Sequence, residues 1–342
     1  MLKKLVLVSL VFLTAFVLGG AFLPSEHHVE RSVTLKQSPS VVYTLLNSYR
    51  TFNEWSPWAS RDPNAVYRTS GPDSGVGARL DWSGDPRQVG TGWQQITSST
   101  PYNRVEMHLD FGEQGIASSF FDISPVEGGS AVTWGFSTDV TADKGVLGAL
   151  MGKYFGLLLD KWVGLDYEQG LANFKVYAEA LPASDFEGAA IEVVNVEPLQ
   201  ILYVSGSTSQ EAGDVAEALA AAFAEITVFM ADNDLEMSGQ PMAITRGWDE
   251  AGYRFDAAIP VDEAPGSTTG NVMSGFSPSG PAVRYVHLGS YDGMLEAYDQ
   301  LAAFMASNGL VEGAVSWEHY ISDPGNTPEE EIVTHIYFLL DR

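Results

Sequence analysis

The chain has 342 residues, 45% of them hydrophobic, no cysteine and a formal net charge of −26. Such a chain forms folded domains with an acidic surface rather than a disordered acidic tail, and that surface repels nucleic acid, which argues against DNA binding. The missing cysteine excludes disulfides, thiol catalysis, Cys-held metals and attachment through a lipid-modified cysteine.

Residues 5–23 carry no ionisable side chain and follow Lys3-Lys4. At the ~1.5 Å rise of a helix they reach roughly 28 Å, about the thickness of a bilayer core. The positive flank predicts a single-pass anchor in the cell membrane with the N-terminus in the cytoplasm and the remaining domains outside, periplasmic in a bacterium. The alternative is a cleaved signal peptide, because Gly19-Gly20-Ala21 supplies the small residues of a cleavage site. Both readings export the bulk of the chain. His27-His28, just beyond, suits the membrane interface.

An alternating strand, 29–35, comes next, and then Ser38-Pro39, an N-cap with proline at the first helical position, opening a helix over 41–46. Phe52-Asn-Glu-Trp55-Ser-Pro57-Trp58 has too many aromatics and breakers for a long helix. Short strands follow around 78–82, 92–98, 105–111, 119–124 and 131–137, an antiparallel meander. From Gly152 the spacing of Phe155, Leu158, Leu159, Trp162, Tyr167, Leu171, Phe174 and Ala178 predicts one long amphipathic helix. Leu181-Pro-Ala-Ser-Asp185 reads as a linker, so the expected organisation is a membrane segment to residue 24, a domain over 25–181, a linker over 182–186 and a second domain over 187–342.

Strand, helix, curved meander and long helix make the order of the helix-grip fold. Residues 22–32, Trp55-Ser-Pro-Trp58, Gly71-Pro-Asp-Ser-Gly-Val-Gly77 and Gly170-Leu-Ala-Asn-Phe-Lys175 resemble the START-like superfamily (SRPBCC, polyketide cyclase/dehydrase), in a bacterial branch with an N-terminal hydrophobic segment. The resemblance implies a cavity under the long helix that binds lipids, hormones or polyketides. Trp82, Trp93, Met107, Phe111, Phe120, Trp134, Trp162 and Phe174 are candidate wall residues, with a filled core as the alternative.

The second domain repeats itself. Ile201–Gly206 and Tyr285–Gly289 each end a strand in glycine, and a helix follows in both, lined by Val215, Leu219, Ala222, Ile226 and Met230 in one copy and by Met294, Tyr298, Leu301 and Met305 in the other. Two strands complete each copy, 242–246 with 253–261 and 315–321 with 332–339. A tandem β-α-β-β duplication places two helices on one side of a shared antiparallel sheet, with a ligand groove between the copies.

Gly289-Ser-Tyr291, Gly309-Leu310, Trp317-Glu-His-Tyr320, Asp323-Pro324 and Glu331-Ile-Val-Thr-His-Ile-Tyr337 resemble the GyrI-like effector-binding domain, found alone and at the C-terminus of AraC- and MerR-type regulators. The overall fold class is therefore α+β: a helix-grip START-like domain followed by a duplicated β-α-β-β GyrI-like domain. The resemblance implies that Glu318 faces hydrophobic, cationic aromatic ligands. Tyr320, Tyr291, Tyr337, Tyr203 and Phe255 are candidate neighbours. The ending Phe338-Leu339-Leu340 departs from the family, which has proline before the last leucine.

Alternation alone puts Glu318 and Tyr320 on one face of their strand and Trp317, His319 and Ile321 on the other. A carboxylate among aromatic rings suits a flat cation, since each ring adds roughly 0.5–2 kcal/mol of cation–π attraction. No nucleophile elbow, phosphate loop, metal-ligand spacing, dinucleotide loop or helix-turn-helix appears, so no cofactor, metal or nucleic-acid partner is expected. Two functions remain: a binding or sensing protein for apolar or cationic amphipathic small molecules, which we prefer, or a hydrolase- or cyclase-like enzyme with Glu318 as general base and Tyr320 polarising the substrate.

Overall fold

The computed structural model describes residues 2–142 and 144–341, leaving out the side chains at 2, 3, 5, 6, 8, 9 and 13. The chain divides into two compact units, one through Asp185 and one from Phe186. The apolar run forms a helix, α1 (Leu2–Phe22). Among the described residues, however, no helix is long and apolar enough to cross a membrane, so the expected span is not found there. The Lys3 side chain of the expected positive flank lies outside the described residues.

In the first unit β1 (Glu26–Leu35) leads to Ser38, whose hydroxyl accepts the Val41 amide at 3.4 Å and caps α2 (Pro39–Leu46). Such a cap contributes about 1 kcal/mol. The breaker-rich stretch makes two short helices, α3 (Phe52–Trp55) and α4 (Pro57–Arg61), hinged at Ser56. Six strands follow: β2 (Val66–Ser70), which the sequence pattern does not announce, β3 (Arg79–Ser83), β4 (Thr91–Thr100), β5 (Arg104–Asp110), β6 (Ile116–Val126) and β7 (Gly129–Asp139). They form one antiparallel sheet in the order β1-β7-β6-β5-β4-β3-β2.

The single long helix expected from Gly152 is two helices, α5 (Val146–Gly156) and α6 (Leu159–Glu179). Gly156 ends the first where the backbone passes against the His27 ring, leaving no room for a Cβ. The chain turns at Leu157-Leu158 and then runs α6 along β1, where the Arg31 guanidinium meets Glu168 at 2.6 Å and Asp160 at 3.1 Å. On α5 the Tyr154 ring stacks on Phe16 of α1 at 4.4 Å, and its hydroxyl donates to the Phe16 carbonyl at 2.7 Å.

The second unit consists of β8 (Ile191–Val196), β9 (Gln200–Thr208), α7 (Ala212–Asp232), β10 (Met242–Asp249), β11 (Gly252–Pro260), β12 (Met273–Phe276), β13 (Gly280–Leu288), α8 (Met294–Ser307), β14 (Glu312–Tyr320) and β15 (Val333–Leu340). One eight-stranded sheet holds them in the order β12-β9-β11-β10-β14-β15-β13-β8. Each copy has an extra leading strand that the repeat pattern does not reveal, and the two are exchanged: β8 precedes the first copy yet pairs with β13, and β12 precedes the second yet pairs with β9. The copies are thereby interlocked at both edges as well as at the central β10–β14 seam. β15 runs through Leu340 despite the departure at its end.

Both helices lie on one face. Val204, Ala257 and Phe255 pack with Ile226 and Phe229 of α7, and Val283 and Ile336 pack with Leu301 and Met305 of α8. The opposite face carries its own cluster around Trp317, which stacks on Tyr337 at 4.7 Å.

Phe186 belongs to the second unit, edge-on to Phe304 of α8 at 5.6 Å and 5% exposed. Residues 186–342 are expected to unfold cooperatively in urea on their own. Phe186→Ala should lower their stability by about 3 kcal/mol, the usual cost of emptying a buried aromatic site. An unstructured fragment, or no loss in the variant, would contradict this assignment.

Candidate functional site

In the first unit the bent sheet and α5–α6 enclose a cavity of about 990 Å³. Its end under α6 is plugged: Trp55 lies 5.0 Å from Phe174 and 5.8 Å from Trp134, and Trp134 stacks on Tyr167 at 3.9 Å while donating its indole N–H to Ser119 Oγ at 3.0 Å. Large aromatic rings filling that volume leave the open space between Trp58, Tyr67, Trp82, Leu109, Phe111, Phe136 and Trp162. Asp166 on α6 lines it as a neutralised carboxylate, accepting the Trp58 indole N–H at 3.0 Å and pairing with Arg61. At the α5 side Phe155 and Trp162, each about half exposed, lie 5.5 Å apart, so the opening has apolar flanks.

Of the wall residues expected here, Trp82, Phe111 and Trp162 line the cavity. Trp134, Phe174 and Met107 are core, each 3% exposed or less. Trp93 and Phe120 are on the outer face, because Trp93 pairs with Asp81 while Trp82 pairs with Gly92, which fixes the two tryptophans on opposite sides. Arginine caps both outer rings, Arg79 over Trp93 and Arg104 over Phe120 at 4.0 Å each. Trp58, Tyr67, Gln94, Leu109, Phe136 and Asp166 were not anticipated.

In the second unit the site lies at the seam. Glu318 pairs with Ala243 of β10 and Ile336 of β15, so its side chain rises from the helix face between α7 and α8. Its Oε1 accepts the Tyr298 hydroxyl of α8 at 2.8 Å and its Oε2 the Tyr320 hydroxyl at 2.8 Å. Phe223 of α7 and Tyr291, in the turn before α8, stand edge-on to the Tyr320 ring at 6.2 and 6.1 Å. Among the described residues no lysine or arginine pairs with Glu318.

The phenols around this carboxylate are held protonated. Burial, followed by the Glu318 charge and its hydrogen bond, raises Tyr298 and Tyr320 well above the ordinary tyrosine value. Tyr253 on β11 is pushed up to about 12, chiefly by burial and further by Glu318. Tyr291 is raised for the same two reasons. The arrangement is a set of neutral donors and ring faces around one anion whose two oxygens are directed by hydrogen bonds.

Glu318, Tyr320 and Tyr291 thus come together. Tyr203 and Tyr337 do not join them: pairing of Tyr203 with Ala258 and of Tyr337 with Trp317 puts both on the face away from the helices. Phe255 is on the helix face but 2% exposed, stacked under Tyr253 at 5.2 Å. Sequence reasoning missed Tyr298, Tyr253 and Phe223 as site residues. The available signal was a tyrosine on the apolar stripe of α8, since a buried phenol needs a partner for its hydroxyl.

Two α+β domains in tandem, the first of them with a ligand-sized cavity, define the class of the protein. Residues 26–179 match the family of polyketide cyclase/dehydrase and lipid transport proteins, and residues 189–341 match the GyrI-like small molecule binding domain. No curated protein matches the chain. Among solved structures it is similar to the C-terminal domain of EcmrR, with 18% identity over 45% of this chain and 98% of that one and a TM-score of 0.40. A hydrolase from Listeria innocua is 15% identical over 44% of this chain and 91% of that one, with a TM-score of 0.32. Ara h 8.0201 is 12% identical over 45% and 99%, with a TM-score of 0.33.

The raised phenols set an alkaline limit. An unfolded tyrosine ionises near pH ~10, so above that pH the unfolded state sheds protons that the folded site keeps. The stability these groups contribute is complete below pH ~10 and is lost as pH rises towards 12, at up to about 1.4 kcal/mol per pH unit for each tyrosine. Urea midpoints of residues 186–342 should fall above that pH, and less steeply in Tyr253→Phe. An unchanged alkaline slope in the variant would contradict the assignment.

Proposed function

We propose that the protein is a non-catalytic binding or sensing protein with two separate small-molecule sites, the second of which takes flat aromatic cations at Glu318. The observation that carries this reading is the Glu318 carboxylate, hydrogen bonded by Tyr298 and Tyr320 and left without a basic side chain among the described residues. With only neutral donors on its oxygens the carboxylate has no basic partner, and the rings of Tyr291, Tyr320 and Phe223 offer cation–π attraction to a cation placed beside it. The reading of Glu318 as a general base is less favoured, because both oxygens already accept hydrogen bonds from phenols that are poor acids here.

Export and tethering by residues 5–23 remain part of the proposal on the strength of that uncharged stretch and the lysines before it. Carbonate-washed membranes should retain the chain with its N-terminus intact. Release of a chain starting near Phe22 would sink the anchor.

Glu318→Gln removes charge while nearly keeping volume. A charge-assisted contact is worth roughly 1.5–3 kcal/mol, so affinity for the cationic dye rhodamine 6G should fall about tenfold or more, with neutral Nile red changed little. Equal losses for both dyes would mean general packing. Turnover of an ester substrate by the wild type that vanishes in the variant would favour the enzyme reading.

A further inference from the structure

The concave face of the first unit's sheet carries a long polar side chain in one of its apolar rows. Gln94 of β4 pairs with Leu80 on one side and with Leu109 on the other, and Leu109 in turn pairs with Ala117. These four side chains form one cross-strand row along the cavity floor, and all four line it. Gln94 is 7% exposed, and its amide makes no hydrogen bond to any described residue. The other buried amide of this unit, Gln37, is turned away from any cavity: it donates to the Ala178 and Leu181 carbonyls at 2.8 and 3.0 Å, and its Oε1 is sealed without a partner. The Gln94 amide is not among the sealed, unpartnered polar groups but opens onto the cavity, where its donor and acceptor face whatever the cavity holds.

The charges around the cavity have one sign in excess. Among the described residues Asp110, Glu113, Asp139 and Asp166 line it against one lysine, Lys144, and of these four acids only Asp166 forms an ion pair with an arginine, Arg61. Asp139 stays ionised, held below the usual carboxylate range by hydrogen bonds from Thr141. A ligand carboxylate would meet repulsion here, whereas a neutral molecule would not.

From this geometry we infer that Gln94 is the hydrogen-bonding anchor of the first cavity, and that the cavity takes neutral, mainly apolar molecules bearing a carbonyl or hydroxyl group, in preference to carboxylates. The inference rests on the reading of this cavity as a ligand site. The amide supplies both a donor and an acceptor, so it reads a carbonyl through its NH₂ and a hydroxyl through either atom. The apolar row and the rings of Trp82, Phe111 and Phe136 take the rest of the molecule.

Two neutral fluorescent probes test it on the full chain: Prodan, which has a carbonyl, and diphenylhexatriene, which has no polar group. Both should bind the wild type. In Gln94→Leu, Prodan affinity should fall about tenfold, the effect of one lost hydrogen bond with its acceptor left unpaired. Its bound emission should move to the blue as the carbonyl loses its donor. Diphenylhexatriene should bind as well or better, and the melting temperature should not fall, since leucine suits the row. Hexadecanol should displace Prodan from the wild type at lower concentration than palmitate. Equal changes for both probes, or Prodan unchanged, would overturn the role of Gln94 while leaving the cavity reading intact. Palmitate as effective as hexadecanol would overturn the ligand class. A wild type that binds neither probe would remove the cavity reading and this inference together.

Discussion

The antiparallel pairing of β10 with β14, from Met242 opposite His319 to Thr245 opposite Ser316, is the constraint on which the second site depends. It joins the two copies of the repeat along their inner strands and turns two small sheets into one. Because pairing fixes which residues share a face, it sets Glu318 beside the buried Ala243 on the helix face. Helices α7 and α8 each pack on their own copy and reach the seam through Phe223 and Tyr298. The exchange of β8 and β12 closes the outer edges with strands from the opposite copy, so the seam is held in register from both ends.

Register also shapes the first cavity, by a different route. A seven-stranded sheet curls around α6, and the part of the enclosed volume near Trp55, Trp134 and Phe174 is filled by rings packed edge-on. The other part is open, and the strands there present Leu80, Gln94, Leu109 and Ala117 as its floor. The two sites differ in electrostatics as well as shape. One is an anion surrounded by neutral phenols, and the other is an apolar floor with a single amide under an acidic rim. Both matched families are consistent with small-molecule binding in each half.

Much of this was legible in the sequence where a short period carries the information. Alternation around Trp317-Glu318 assigned the two faces of β14, Ser38-Pro39 marked the start of α2, and the internal repeat announced the shared sheet. What failed needed partner strands. Phe120 and Phe121 are neighbours, and only the pairing of β6 with β7 decides that Phe121 is core and Phe120 faces out under Arg104. Tyr203 and Tyr337 looked like pocket walls by residue type and lie on the far face by register. Gln94 has no local sign of facing inward, since only its pairing with Leu80 and Leu109 sets its side of the sheet. The leading strands β8 and β12 carry no local sign of being exchanged.

The central claim is that the charge of Glu318, and not merely the aromatic walls, selects the ligand of the second site. Titration of the full chain with trimethylphenylammonium and with its neutral isostere tert-butylbenzene tests this most directly, since the two differ in charge and scarcely in shape. Tighter binding of the cation, with a preference that narrows as salt is added, is the predicted result. Equal affinity for the two molecules would contradict it.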